Sequence, residues 1–550
     1  MLATLLVANP HGAGAPKRIE TESQVGRASD QPARTPELPR VFLDTSFVPA
    51  PGRVIHVAAG GNLQKILDEA RAGDTIRIES GASFVGNFVL PRKDGDAWIV
   101  VRSDVPDDAL PPPGSRITPA HAPRLAKILT PNSDPALTAA DGAHHYRLVG
   151  LEISTRKELS RTLSLVTLGN NRAPSLESLP HHITIDRCYI HGNSESTVRR
   201  GITLNAASIA VIDSHISDIH EAGADSQAIC GWNGPGPFKI VNNYLEGAGE
   251  NIMFGGAQGS LNVDPHFVVP SDIEIRHNHF YKPLRWREGD PGYDGSKWTI
   301  KNLFELKNAQ RVLIEGNIFE QCWAAAQRGF AFALTPRVQS GPRAVLQDVT
   351  FRLNIVRGAA SGVAVSGADG EEHPPRPQRG QRILFENNLF EQIDGGRWGG
   401  QGRLFQPTNA VRDLQIVNNT AFQSGPVSFA EQGLPYLGFV FSNNIVPHGA
   451  GFAASGKSTG FPTLEAFFPD SVFTGNVLVA GPSYLFPKGN FFPNDWKRVG
   501  FVDLAGGNYR LSPKSPYKNK GRDGRDIGAD IDAIEKATAG VVLATATQPK

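Results

Sequence analysis

The sequence predicts an all-β solenoid, one stack of short parallel strands wound into successive coils. Three observations predict it. A six-residue phrase recurs in which an apolar residue is followed by two variable residues, an Asn and two apolar residues, as in Ile314-Glu315-Gly316-Asn317-Ile318-Phe319. Asn243, Asn278, Asn317, Asn354, Asn388, Asn419, Asn444 and Asn476 hold the fourth place, and Cys188 and Ser214 hold it in two degenerate copies. From Cys188 to Asn476 the intervals are 26, 29, 35, 39, 37, 34, 31, 25 and 32 residues, the range of one coil of a stacked array. The runs between are too short and too rich in Gly and Asn for helices. Stacked Asn amides bond to each other and to the turn backbone, so a buried polar corner stays satisfied.

Residues 1–52 are polar and Pro-rich after a short apolar start, and read as an extended arm or the remnant of an export signal. Leu63, Ile66, Leu67 and Ala70 then fall at helical spacing, bounded by Gly60-Gly61-Asn62 and Gly73-Asp74. An amphipathic helix here caps the first coil. The open end of a strand stack is a row of unpaired backbone groups, and a covering helix blocks edge-to-edge growth. Alternating runs at 75–91, 97–104 and 146–154 read as strands of early coils, and the clear repeats begin at 182–193. Two excursions, 282–297 and the Pro-rich 367–380, interrupt the stack, and long loops on one corner usually carry function. The solenoid is expected over 53–531, with a C-terminal cover near 509–531 and a loose tail over 532–550.

The chain has 550 residues, with 55 basic against 54 acidic. That balance argues against a nucleic-acid or membrane-surface binder, and no apolar run approaches the length of a membrane span. Cys188, Cys230 and Cys322 lack metal-ligand spacing and read as buried thiols. His144-His145, His181-His182 and His220-Glu221 also lack such spacing and read as turn or surface residues.

With the repeated Asn phrase, the coil-length intervals and the capping helix in place, the chain resembles the right-handed parallel β-helix proteins, the pectate-lyase-like superfamily, over roughly residues 53–531. The resemblance implies the fold, a secreted or periplasmic location, and a groove on one sheet where outward side chains of adjacent coils line up.

Alternation places Phe304 and Leu306 inward with Glu305 and Lys307 outward. It likewise places Phe332 and Leu334 inward with Thr335 and Arg337 outward, and Ile252 and Phe254 inward with Asn251 and Met253 outward. Gln227, Asn233, Glu250, Asn251, Glu305, Lys307, Arg328 and Arg337 are therefore expected on one patch. Residues 282–343 carry ten Lys and Arg against six Asp and Glu, with Trp286, Trp298 and Trp323 among them. Cations hold carboxylates and aromatic faces stack on sugar rings, so this composition suits an acidic glycan. Gln227, Asn233, Trp286, Trp298 and Trp323 are the expected substrate contacts.

The run from Lys307 through Gly316-Asn317 to Arg328 is similar to the chondroitinase-B-like and alginate-lyase branch, polysaccharide lyase family six. That resemblance implies Lys307 as the base, Arg328 as its partner, and a calcium held by Asn and Glu that neutralises the uronate. The family's pattern has two Glu a few residues upstream of the lysine. This chain has Thr299, Lys301 and Asn302 there, with Glu305 alone nearby. Glu250, Asn251 and Glu305 are the nearest oxygen donors for calcium. Lys301, Arg328 and Arg337 around Lys307 could lower its pKa for proton abstraction at C5.

The expectation is a monomeric lyase acting on an acidic polysaccharide. A polygalacturonase-like hydrolase using two of Asp213, Asp218, Asp225 and Glu250, a C5 epimerase, and a non-catalytic glycan-binding protein remain as alternatives.

Overall fold

The computed structural model describes residues 33–170, 173, 175–257, 268–337, 344–369, 379–431 and 434–543. The apolar start of the chain, read above as part of an extended arm or the remnant of an export signal, lies outside them, as does most of the expected loop at 367–380.

The coil is repeated as expected. One turn runs through Ala309–Glu315, bends at Gly316-Asn317, continues as Ile318–Cys322, turns, and runs on as Phe330–Leu334. Strands of successive turns stack into three parallel sheets of 14, 13 and 12 strands, here the first, second and third sheets in the order the chain visits them. Register between coils is continuous: Val312 pairs with Val349, Phe319 with Val356 and Phe332 with Val363. The protein is thus a right-handed parallel β-helix. Its core is one apolar column whose inward residues repeat at the strand spacing of ~4.8 Å. Phe280 stacks on Phe319 at 4.2 Å and Phe351 on Phe385 at 4.8 Å between ring centres.

The recurring Asn forms the corner between the first and second sheets. Asn243, Asn278, Asn317, Asn354, Asn388, Asn419, Asn444 and Asn476 are buried in a continuous ladder. Each side-chain amide donates to the Oδ1 of the next Asn and to a carbonyl of the preceding coil, as Asn317 does to Asn354 and Ile275 at 3.0 Å each. Each Oδ1 in turn accepts the backbone N–H of the Asn before it, as Asn278 N–H donates to Asn317 at 2.9 Å. Ser214 and Cys188 extend the ladder at one end and Asn490 at the other. The residue before the ladder position is left-handed in coil after coil, from Arg187 at φ 49° to Asn443 at φ 55°. Gly316 takes that place in its coil (φ 65°), and a Cβ there would lie 2.7 Å from the Ala537 carbonyl oxygen.

That close neighbour belongs to the helix Ile531–Thr538, which stands where a loose tail was expected. Asp530 caps the helix by accepting the Ala533 N–H, and Ile531 and Ile534 pack against Leu389. Beyond it, Val541 is buried and its carbonyl accepts from Arg116 at 2.9 Å. Apolar residues at 531, 534 and 541 have a stripe of coil corners to cover, which a stretch read in isolation does not disclose. At the other end, the helix Leu63–Glu69, capped by Asn62, buries Leu63 and Leu67 over the first coil.

Residues 33–50 contain no helix or strand and lie along the corner where the first sheet begins. The backbone N–H groups of Arg34, Glu37 and Arg40 donate to Asp413, Asp348 and Asp272. An extended arm rises about 9.3 Å in three residues, and two coils rise about 9.6 Å, so every third residue meets every second coil. On the coils between, Arg382 and Arg311 pair with Asp348 at 2.6 Å and Asp272 at 2.8 Å.

Candidate functional site

The outward face of the third sheet gathers the charged residues. Strands Gln227–Gly231, Glu250–Phe254, Phe304–Leu306 and Phe330–Leu334 stack in order. Ile252, Phe254, Phe304, Leu306, Phe332 and Leu334 fill the core as the alternation read from the sequence requires, but Asn251, expected outward, is buried where the strand leaves its corner. Glu250 sits at the centre. Gln227 pairs with it in register and donates to its Oε2 at 2.8 Å, while Lys301 reaches Oε1 at 2.8 Å. Lys301 also holds Asp225 at 2.8 Å. One position along, Lys307 lies 3.3 Å from Glu305 and 3.5 Å from the Met253 sulfur. Glu250 is fully buried, Glu305 nearly so, and the Lys301 and Lys307 side chains are 9% and 13% exposed. Asp225, 40% exposed, is the member of the array most open to solvent, followed by Lys307.

This arrangement splits the two glutamates. Burial raises Glu305, and its contact with Glu250 raises it further, to about 7. Burial works the same way on Glu250, but Lys301 and Lys307 outweigh it and hold that carboxyl below its usual range. Burial opposes the charge on Lys301, yet Glu250 and Glu305 hold its ammonium well above the ordinary lysine value. Lys301 is a fixed cation, and Glu305 keeps its proton up to neutral pH.

The other expected residues divide. The Arg337 backbone N–H donates to the Lys307 carbonyl one coil back, and its guanidinium pairs with Asp369 at 3.1 Å. Arg328 stands on the rim, its side chain 73% exposed, 3.9 Å from Glu431 and near Arg403. Asn251 turns into the corner behind the strand, donating to Leu245 and Tyr281 carbonyls and accepting from Lys282 at 3.3 Å. Asn233 is buried at the opposite corner, bonded to Asn205 and Asn170. Trp286 and Trp323 are 3% and 5% exposed and pack with Trp398, Ile300 and the half-buried Trp298 into a small second core beneath the 282–301 loop. Indoles closed off in this way offer no face to a sugar ring. An aromatic in a long loop satisfies the same composition whether it faces in or out.

Three residues of this region were not picked out as parts of the array. Lys282 is fully buried, with burial pushing it down to about 8, and its ammonium binds the Gly247, Ala248 and Gly249 carbonyls. It fastens the turn that presents Glu250. Asp225 enters as the partner of Lys301, and Met253 as the floor beneath Lys307. His220 and Glu221, read from the sequence as turn or surface residues, are both buried, His220 against Trp298 at 3.8 Å between ring centres. From the sequence Met253 stood out by its outward parity and Asp225 as a candidate hydrolase carboxyl, but neither the Lys301 partnership nor the role of Lys282 was legible.

The three oxygen donors named for calcium do not fit that ion. Glu250 faces the Lys301 ammonium, Glu305 faces Lys307, and the Asn251 oxygen faces Lys282. A calcium cage converges six to eight oxygens on one point. Here each oxygen is met by an amino group, and two lysine charges occupy the ground a divalent ion needs.

No family model and no curated protein matches the chain. Among solved structures it is similar to the PL6 family alginate lyase AlyGC, at 13% identity and a TM-score of 0.49, over 90% of this chain and 59% of that one. It is also similar to a mannuronic acid specific family 6 lyase from human gut microbiota (10%, TM-score 0.38, 81% of this chain and 92% of that one). A third is pectate lyase Pel9A (11%, TM-score 0.28, 87% and 96%).

Proposed function

We propose that the protein cleaves an acidic, uronate-containing polysaccharide by β-elimination over the third sheet. The observation that supports this reading best is the buried array Glu250, Lys301, Glu305 and Lys307, which sets one fixed cation beside a second lysine and a protonated carboxyl. Elimination needs charge opposite the sugar carboxylate as the enolate forms, a base at C5, and a proton for the leaving oxygen. Lys301 supplies the charge from within the chain, with Arg337 and Arg328 on the following coil and rim. Lys307 takes the C5 proton, and Glu305 is the acid within reach of the leaving oxygen. With Lys301 in this role the reaction proceeds without calcium.

A hydrolase is less well supported. Of its expected carboxyls, Asp225 and Glu250 are both held by the Lys301 ammonium at 2.8 Å, which fills the space a sugar would take between them, while Asp213 and Asp218 are bound by Asn242 and Arg285.

The test is purified protein on alginate, pectate, dermatan or chondroitin sulfate, and heparin, with and without a chelator, read by absorbance of unsaturated ends. Product that survives chelation and is lost in Lys307→Ala supports the proposal. No product from any glycan overturns it. New reducing ends without unsaturation identify a hydrolase, and binding without product a glycan-binding protein.

A further inference from the structure

Four of the 15 histidines gather at the start of two adjacent first-sheet strands, His144–Val149 and His181–Asp186, away from the third-sheet array. In sequence the two pairs stand 37 residues apart, one coil, and His181 falls in register on His144. His145 and His182 are left-handed, with φ 56° and 52°. That backbone folds the second ring of each pair back toward the first. The Nδ1 atoms face each other at 2.8 Å in His144-His145 and at 2.7 Å in His181-His182. Between coils the rings stack nearly parallel at 4.8 Å, His144 on His181 and His145 on His182. Trp98 meets His145 edge-on at 5.4 Å.

Asp96, on the loop before the strand Ile99–Asp104, brings an exposed carboxylate to the first pair. One ligand atom from each of Asp96, His144 and His145 lies within 4.8 Å of the others. We propose that Asp96, His144 and His145 bind one divalent transition-metal ion of the Zn2+ class, with the His181-His182 pair stacked behind them as the support that fixes the rings.

The chemistry follows from the donors. Two imidazole nitrogens and one carboxylate oxygen suit zinc, nickel or copper, while calcium and magnesium take oxygen shells. Two metal bonds of about 2.1 Å at 90–109° span roughly 3.0–3.4 Å, so the Nδ1 pair needs to open by only a few tenths of an ångström. Without metal, one Nδ1 carries a proton and the other accepts it. Shifting that proton to Nε2 frees both lone pairs, with no change in the charge of either ring. The rings are half-buried and Asp96 is exposed, so an ion enters from solvent and solvent fills the fourth position. The bound ion ties the loop carrying Asp96 to the next coil, and an ion that binds only the folded chain stabilises it.

The experiment is calorimetric titration of the full chain, stripped by dialysis, with Zn2+ alone, alongside the thermal unfolding midpoint. About one tightly bound equivalent is expected, with a raised midpoint and at least tenfold weaker binding in both Asp96→Asn and His144→Gln. Asp96→Asn leaves all four stacked rings in place, so it carries the test if His144→Gln misfolds. An absence of saturable Zn2+ binding overturns the proposal, as does equal binding by wild type and Asp96→Asn.

Discussion

The ladder Asn at the middle of the stack offers the sharpest measurement. In Asn317→Ala the lost Oδ1 strands two donors of Asn278, its backbone N–H at 2.9 Å and its Nδ2 at 3.0 Å. The lost amide also removes a donor from Asn354 and from the Ile275 carbonyl. Asn317 is fully buried, so water does not reach the stranded groups. At about 1–3 kcal/mol for each buried donor left unpaired, the two on Asn278 alone amount to roughly 2–6 kcal/mol. The chain contains its own milder variant. Ser214 occupies the ladder, and its Oγ accepts the Cys188 N–H at 3.0 Å. Asn317→Ser should therefore cost about half as much as Ala, because one acceptor survives. Urea unfolding of both variants, beside an exposed control such as Lys514→Ala, measures the differences. An Ala cost near that of the control, or a Ser variant no better than Ala, would refute the view that the ladder's hydrogen bonds hold the corner.

Three further outcomes are expected. Lys301→Met leaves Glu250 buried without its ammonium, so it should destabilise by about 3–5 kcal/mol, whereas Lys307→Ala should abolish elimination with little loss of stability; paired urea and product assays separate the two. Glu305 holds its proton to about 7 when folded, above the ordinary glutamate value, so the stability it contributes is present at low pH and is lost as pH rises to about 7. Glu305→Gln should flatten stability against pH over that window, and an unchanged slope in a urea series at several pH values would count against the raised carboxyl. Asp348→Ala removes both the Arg382 pair and the acceptor for the Glu37 N–H. It should cost about 1–3 kcal/mol and expose the arm to limited proteolysis near residue 37, seen by mass of the first fragment.

Much of the architecture was legible because its cause is local and repeated. A buried Asn must recur at each corner, and a coil must close in about the same number of residues, so spacing alone reveals the stack. Alternation placed Glu305 and Lys307 outward and Phe304 and Leu306 inward for the same reason. The capping helix was legible from Leu63 and Leu67, whose spacing suits a helix and nothing else nearby. The tail was not, because Ile531, Ile534 and Val541 acquire a purpose only when corners of the stack lie beneath them. The tryptophans misled for a related reason. Composition records that Trp286 and Trp323 exist, whereas a second core under a loop is decided by what the loop folds over.

The candidate site divides along the same line. One strand carries Glu305 and Lys307 together, so their partnership is written into neighbouring residues. Lys301 with Asp225 and Glu250, 76 and 51 residues earlier, is a partnership between turns of the coil, and loop lengths between coils vary too much to count it out. The histidine pairs, which have no ligand spacing along the chain, meet only because one coil there spans 37 residues. Sequence determined the period of this protein, the identity of its corners and which apolar side chains face in, since each depends on a few adjacent residues. Which outward groups meet was decided by stacking alone, because coil register converts distances along the chain into distances of one strand spacing.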